Sequence, residues 1–137
     1  MTTIETDKIF LPRNELEIQL LAAKEGKVSP RSFMTYLFES NVYVLSTSTL
    51  LEKPIKTNSL LCISDDKHPT RLAVFSSADR AETWTSVFPD YRYIMQVCFS
   101  AILKGADSGI GIMLNPGQSA GMTIPPEGII ELRQEFD

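Results

Sequence analysis

The residues that could take part in catalysis or metal binding are few in this chain and widely separated. Its one histidine, His68, lies in the polar segment Asp65-Asp-Lys-His-Pro between two β-forming runs. A serine or cysteine nucleophile needs a base beside it, and a single imidazole in a turn offers almost no such pairing. Zinc or calcium would need further ligands at regular spacing. Paired carboxylates remain open, since any two can meet in space, but no particular pair is indicated. We therefore predict no catalytic residue, no metal ligand and no cofactor.

A glycine pair, Gly109-Ile-Gly111, is the nearest approach to a phosphate-binding loop. Leu114 stands where Gly-x-Gly-x-x-Gly requires its third glycine, and the chain has no Gly-Lys-Ser or Gly-Lys-Thr triplet. The alternation of Ile110, Ile112 and Leu114 predicts a β-strand instead. We interpret this segment as structural rather than nucleotide-binding.

The segment Asn115-Pro-Gly favours a turn between that strand and a second strand at Met122-Thr-Ile, because glycine readily adopts positive φ. A structural role explains every residue of this hairpin. Exposed turns held by rigid strands often carry binding residues, so a binding role is the alternative interpretation.

Two cysteines, Cys62 and Cys98, lie far apart between apolar neighbours. This context is typical of small buried core residues, with a disulfide or a reactive thiol as the alternatives.

Length and composition are those of one folded domain. The chain has 137 residues, of which 43% are hydrophobic and 22% charged, close to the averages for packed proteins. We predict a loose lead-in over residues 1–13 and a single domain over residues 14–137.

The net charge of −4 argues against a nucleic-acid partner, because the 13 basic residues are scattered singly. They form no polybasic membrane patch either, and no apolar run approaches the roughly 20 residues of a spanning helix. Acidic residues precede any apolar stretch at the N-terminus, the reverse of a secretory signal. A cytoplasmic protein without membrane or nucleic-acid contacts is therefore expected.

Two amphipathic helices are predicted near the N-terminus. Asn14 is placed to cap the first, Glu17 returns towards its backbone amide in a capping box, and Gly26 ends the helix. Ser29 caps the second, where Pro30 suits the first position. The bulky residues of the second helix are expected in the core: Phe33, Met34, Tyr36, Leu37 and Phe38.

The middle of the chain predicts strands and short helices. Ser76 and Asp79 form a Ser-x-x-Asp box that starts a helix, on which Trp84 packs inward. A short helix from Cys98 ends at Gly105. Strands are predicted at Val42-Tyr-Val-Leu, near Leu50-Leu51, at residues 59–64 and 70–75 as a hairpin, and at Tyr93-Ile-Met-Gln-Val. The fold class is α/β in the α+β sense: a mixed sheet of five to six strands packed against the helical hairpin and further short helices.

The order of these motifs resembles the N-terminal domain of the SseB family. The resemblance rests on the blocks Phe75-Ser-Ser-Ala-Asp-Arg-Ala-Glu-Thr-Trp, Gly111-Ile-Met-Leu-Asn-Pro-Gly and Ile124-Pro-Pro-Glu, and covers roughly residues 14 to 135. It implies an α/β module with no established catalytic mechanism and a name linked to serine sensitivity. Many members carry a second, C-terminal domain, so this chain looks like a stand-alone version.

We expect a non-enzymatic cytoplasmic module that binds a protein partner. A small-metabolite (amino-acid) sensor, or an immunity or adaptor protein for a toxin or secreted effector, are the alternatives. The candidate surface consists of polar and aromatic residues near predicted element ends: Arg80, Asp90, Tyr91, Arg92, Asn115, Pro116, Gly117 and Gln118. The alternative for Arg80 and Arg92 is that they only pair with carboxylates at the surface, which contributes little. Ile129, Ile130 and Phe136 of the last helix are either core residues or the seam of a homodimer.

Overall fold

A computed structural model describes residues 11–49, 59–64, 70–105, 109–117 and 121–136. Within them, the helices are α1 (Glu15–Lys24), α2 (Pro30–Phe38), α3 (Ala78–Val87), α4 (Phe99–Gly105) and α5 (Pro126–Phe136). The strands are β1 (Asn41–Ser46), β2 (Cys62–Ile63), β3 (Arg71–Val74), β4 (Tyr93–Cys98), β5 (Gly111–Leu114) and β6 (Met122–Ile124). The predicted mixed α+β class is confirmed. The strand near Leu50-Leu51, the turn with His68, and Gln118 lie outside the described residues.

The helical hairpin begins and ends where local chemistry predicts. The Asn14 side chain caps α1 by accepting from the Glu17 amide at 2.9 Å. Gly26 follows the helix at a φ of 81°, a conformation that glycine adopts without strain. Ser29 caps α2, and Pro30 is its first residue, where a missing N–H costs nothing.

The strands form one antiparallel pair, β1–β4, and a four-stranded sheet of order β2-β3-β5-β6. In the larger sheet β3 and β5 are parallel, whereas β2–β3 and β5–β6 are antiparallel. Two bridges join the sheets, Tyr43 to Phe75 and Ser46 to Leu60. Tyr43 and Phe75 exchange two backbone hydrogen bonds of 2.8 Å. The mixed sheet is thus continuous in hydrogen bonding, with β4 towards one end and β6 at the other.

Successive side chains along a strand point to opposite faces of the sheet and pack into two different cores. Val42 and Val44 of β1 belong to the main core with α1, α2, α4 and α5, whereas Leu45 belongs to a smaller core with Phe75 and Ala81 at the start of α3. This alternation is the period-2 pattern of a strand covered on both faces. The sheet therefore lies between four helices and α3.

Several side-chain predictions need correction or refinement. Phe33 and Leu37 of α2 are buried as expected, but Tyr36 is 37% exposed, because it lines an open hollow beside Asn41 and Tyr43 instead of packing in the core. In α5, Ile129 is buried and Ile130 is 52% exposed. Phe136 lies outside the described side chains.

Cys62 and Cys98 are half-buried rather than fully buried, and no disulfide joins them. The disulfide alternative is therefore wrong for this fold.

Candidate functional site

A buried ion pair joins the start of α1 to the first turn of α3. Arg80 donates from Nε to Glu17 Oε2 at 2.8 Å and from Nη2 to Glu17 Oε1 at 3.0 Å. The Glu17 side chain is 0% exposed and that of Arg80 is 7% exposed. Parallel hydrogen bonds from a guanidinium to a carboxylate are strong and fix the geometry of both groups.

Ser76 and Asn115 extend this ion pair to the turn after β5. The Ser76 hydroxyl donates to Glu17 Oε2 at 2.6 Å and accepts from Asn115 Nδ2 at 2.8 Å. The Asn115 side chain also accepts from the Ser76 amide at 3.0 Å through Oδ1. Both side chains are buried. We call Glu17, Ser76, Arg80 and Asn115 the polar network.

Backbone groups form further hydrogen bonds with the side chains of the polar network. The Arg13 amide donates to Glu17 Oε1 at 2.8 Å, and Arg80 Nη2 donates to the Leu11 carbonyl at 2.7 Å. Each carboxylate oxygen of Glu17 thus accepts two hydrogen bonds. The Asn14 amide group adds a bond from Nδ2 to the Ser76 carbonyl at 2.9 Å. The network ties three distant segments together: the residues before α1, the entry to α3, and the turn after β5.

Two capping predictions are corrected by these bonds. Glu17 reaches the amide of Arg13 rather than that of Asn14, because its carboxylate also has to meet Arg80. The N-cap of α3 is Ser77, without a side-chain capping bond, and not Ser76. The Ser76 hydroxyl is engaged by Glu17, so it is not available to cap the helix.

Opposing effects set the pKa of Glu17. Burial raises it, but the hydrogen bonds from Arg80, Ser76 and the Arg13 amide, together with the charge of Arg80, outweigh burial, so the pKa of Glu17 lies below its ordinary value. Glu17 is therefore ionised at neutral pH, and its charge is matched inside the fold. Its chemical role is to hold neighbouring segments in place.

Acid is expected to weaken the contribution of Glu17 to stability. Because its pKa is lower in the folded chain than in the unfolded chain, the stabilisation is complete above the ordinary value of 4.5 and is lost as the pH falls through the folded value. In urea unfolding, the difference in free energy of unfolding between wild type and Glu17→Gln should narrow below that pH. A difference that stays constant into acid would contradict this role.

The candidate surface predicted from the sequence divides into buried and exposed members. Arg80 and Asn115 are buried in the polar network, and Pro116 is buried as well, so these three are corrected as surface residues. Arg80 does pair with a carboxylate, but inside the protein rather than at its surface. Arg92 lies instead over the ring of Tyr93, with its guanidinium carbon 5.9 Å from the ring centroid.

The exposed members lie around one aromatic group. Asp90 and Arg92 are exposed, and Tyr91 is half-buried against the smaller core beside Trp84. Trp84 stacks on Phe88 with ring centroids 5.9 Å apart. A Cβ on Gly117 would lie 3.5 Å from the Trp84 ring, so the turn after β5 lies against the same group. The sequence analysis grouped these two segments in one candidate surface, but it did not predict that Trp84 lies between them.

Strand β4, which follows these residues, presents an outer edge. The Phe99 amide donates to the Ser40 carbonyl at 2.9 Å, on the side of β4 that faces β1. In an antiparallel pair, the N–H and C=O groups of every second residue before Phe99 point to that same side. The N–H and C=O groups of Ile94 and Gln96 point to the opposite side of β4, where no strand lies among the described residues. The strand Tyr93–Cys98 contains neither a charged residue nor a proline. Such residues commonly protect a strand edge from pairing.

The three motif blocks quoted from the sequence all lie within a match to a known protein family. The family model of the SseB protein N-terminal domain matches residues 16–131. The chain belongs to the SseB family. No curated protein and no solved structure matches it significantly.

The SseB motif blocks have a structural meaning in this fold. The block starting at Phe75 supplies Ser76 and Arg80, which bind Glu17. The Leu-Asn-Pro-Gly block supplies Asn115, which binds Ser76. The two blocks are therefore joined by direct hydrogen bonds between Ser76 and Asn115.

The described part of the SseB chain contains no group of three His, Cys, Asp or Glu residues arranged to hold a metal. None of its described helices combines the length and apolar character needed to span a bilayer.

Proposed function

We propose that this SseB domain is a non-enzymatic, cytoplasmic protein-interaction module that pairs an extended segment of a partner with the outer edge of β4. The observation that carries the proposal is the uncharged outer edge of β4, with the backbone groups of Ile94 and Gln96 pointing outward. Strand addition to such an edge uses main-chain hydrogen bonds for affinity and neighbouring side chains for specificity.

The residues at the entry to β4 suit the selection of a partner. Arg92 and Asp90 are exposed charges of opposite sign at one end of the edge, and Tyr93 is exposed beside them. Aromatic and arginine side chains are enriched at protein interfaces. Cys62 and Cys98 are not joined by a disulfide, which is consistent with a reducing compartment.

The polar network gives this surface a rigid support. It fixes the first turn of α3, whose Trp84 and following Phe88 pack under Tyr91 in the smaller core. Pre-organisation of a binding surface lowers the entropy lost on association. The buried charges of Glu17 and Arg80 thus contribute to binding by holding the surface in shape, without contacting the partner themselves.

Gln96→Pro is expected to reduce capture of the partner strongly while leaving the fold intact. Proline removes the amide hydrogen of residue 96, which points outward and takes no part in the β1–β4 ladder, and prolines are tolerated at strand edges. Losing a main-chain bond and leaving its acceptor unpaired weakens binding by roughly tenfold or more. The measurement is affinity capture with tagged protein from extract of the source organism, with quantitative mass spectrometry and far-UV circular dichroism of each variant.

Gln96→Thr is the matched control, because it changes the same side chain and keeps the amide hydrogen. A partner lost with proline and kept with threonine supports edge pairing. Hydrogen exchange gives a second readout, since partner binding should slow exchange at the amides of Ile94 and Gln96. Equal capture by both variants, or protection that appears with protein concentration and without any partner, would overturn the proposal.

A further inference from the structure

Two adjoining hollows lie at the far end of the strand order from β4. One, of about 250 Å³, is lined by the turn after β5, by β6 and by Lys24. The other, of about 200 Å³, lies between α1, α2 and Met122 of β6. Lys24 and Met122 line both hollows, so the two cavities meet at these side chains.

Lys24 places a positive charge at the junction. It is the last residue of α1 and is exposed, and it forms no ion pair with any residue the structure describes. By contrast, Lys27, three residues on, forms an ion pair with Glu25, in which Nζ lies 3.2 Å from Oε1. A lysine can lay its aliphatic stem along an apolar surface while its ammonium group stays in water. The ammonium group of Lys24 can therefore bind an anionic group while its aliphatic stem contacts an apolar chain.

The second hollow is apolar on all its walls except Lys24. Its lining comes from the inner faces of the two helices and from β6: Leu20, Ala23, Pro30, Phe33, Met34 and Met122. Met34 and Met122 are half-buried, and methionine side chains adapt readily to the shape of a ligand. A cavity of this size and lining suits one short aliphatic chain.

We propose that these hollows form a binding site for a small amphipathic carboxylate. The carboxylate would lie at the Lys24 ammonium group, and the short apolar chain would enter the hollow between α1 and α2. Charge complementarity selects the anionic end, and the lining selects the apolar end. This site is separate from the β4 edge, so a ligand bound here leaves the proposed protein-binding edge free.

The proposal is tested by titrating ¹⁵N-labelled protein with hexanoate and following amide chemical shifts. We expect saturable shifts at Ala23, Lys24, Phe33 and Met122. Hexanamide, which has the same chain without the charge, should bind more weakly. Shifts that fail to saturate, or that are equal for both compounds, would show that Lys24 selects no carboxylate.

Lys24→Gln should weaken hexanoate binding by up to about fivefold, the amount that a screened, exposed ion pair supplies. Hexanamide binding should not change. Lys27→Gln, which removes the same charge three residues away, should leave both affinities unaltered. Equal hexanoate affinity in wild type and Lys24→Gln would overturn the assignment.

Ala23→Leu tests the apolar end independently, since a larger side chain would fill the second hollow. Loss of hexanoate and hexanamide binding, in a variant whose thermal midpoint is unchanged or raised, would support the site. A purely structural role of Lys24 at the end of α1 would instead lower the thermal midpoint of Lys24→Gln and leave hexanoate binding intact.

Discussion

Arg80→Met is expected to lower the free energy of unfolding by about 3–5 kcal/mol, as when one partner of a buried ion pair is removed. The substitution leaves the Glu17 carboxylate without its cation in a site that is 0% exposed, and it also removes the donor to the Leu11 carbonyl. Methionine keeps much of the volume of arginine, so the loss reports charge and hydrogen bonding rather than a cavity. Urea unfolding at neutral pH measures the effect.

Arg13→Met is the matched control, because the structure offers a second arginine–carboxylate pair at nearly the same distance. Arg13 Nη1 lies 2.9 Å from Asp79 Oδ2, but the two side chains are 50% and 68% exposed. Exposed pairs contribute roughly 0.2–1 kcal/mol, so this variant should be nearly as stable as wild type. Similar losses for both arginines would contradict the role given to burial.

The double variant Glu17→Met, Arg80→Met separates the cost of an unpaired charge from the contribution of the pair. With no charge left inside, the double variant should lose less stability than the sum of the two single variants. A loss equal to that sum would mean that Glu17 and Arg80 act independently.

The burial of Arg80 also decides how the interaction surface can be probed. Charge reversal at Arg80 would place two carboxylates in one buried site, and loss of a partner would then report unfolding. Arg92 and Gln96 are exposed and lie at or beside the β4 edge. Substitutions at these positions test binding without disturbing the polar network.

Features that depend on neighbouring residues were predictable from the sequence. The cap at Asn14, the proline start of α2 and the hairpin from β5 to β6 were all predicted, and the structure confirms them. Each depends on bonds between residues a few positions apart, whose side-chain preferences are strong.

Features that depend on distant segments were not predictable. Glu17 fitted a capping box, and nothing nearby in sequence indicated Arg80, which lies 63 positions away. Ser76 was predicted to cap α3, but its hydroxyl binds Glu17 and Ser77 is the N-cap instead. The outer edge of β4 likewise follows from the order of strands, which non-local pairing decides.

Asn115 should show the second large effect, because it combines an unusual backbone conformation with buried hydrogen bonds. Its φ of 54° lies in the left-handed region, which costs most residues roughly 1–2 kcal/mol and which asparagine tolerates better. Asn115→Ala also leaves the buried Ser76 amide without its acceptor, at roughly 1–3 kcal/mol. We expect a total loss of roughly 2–5 kcal/mol in urea unfolding.

Two variants divide this loss into its causes. Asn115→Gly relieves the backbone strain and removes only the hydrogen bonds, so it should be more stable than Asn115→Ala. Gly117→Ala, in the same turn at a φ of 79° with ordinary space for a Cβ, adds only the strain. If Asn115→Ala costs no more than Gly117→Ala, the hydrogen bonds to Ser76 contribute nothing. If it costs the sum of the other two losses, backbone strain and the hydrogen bonds to Ser76 contribute separately, and Asn115 links the turn after β5 to the segment before α3.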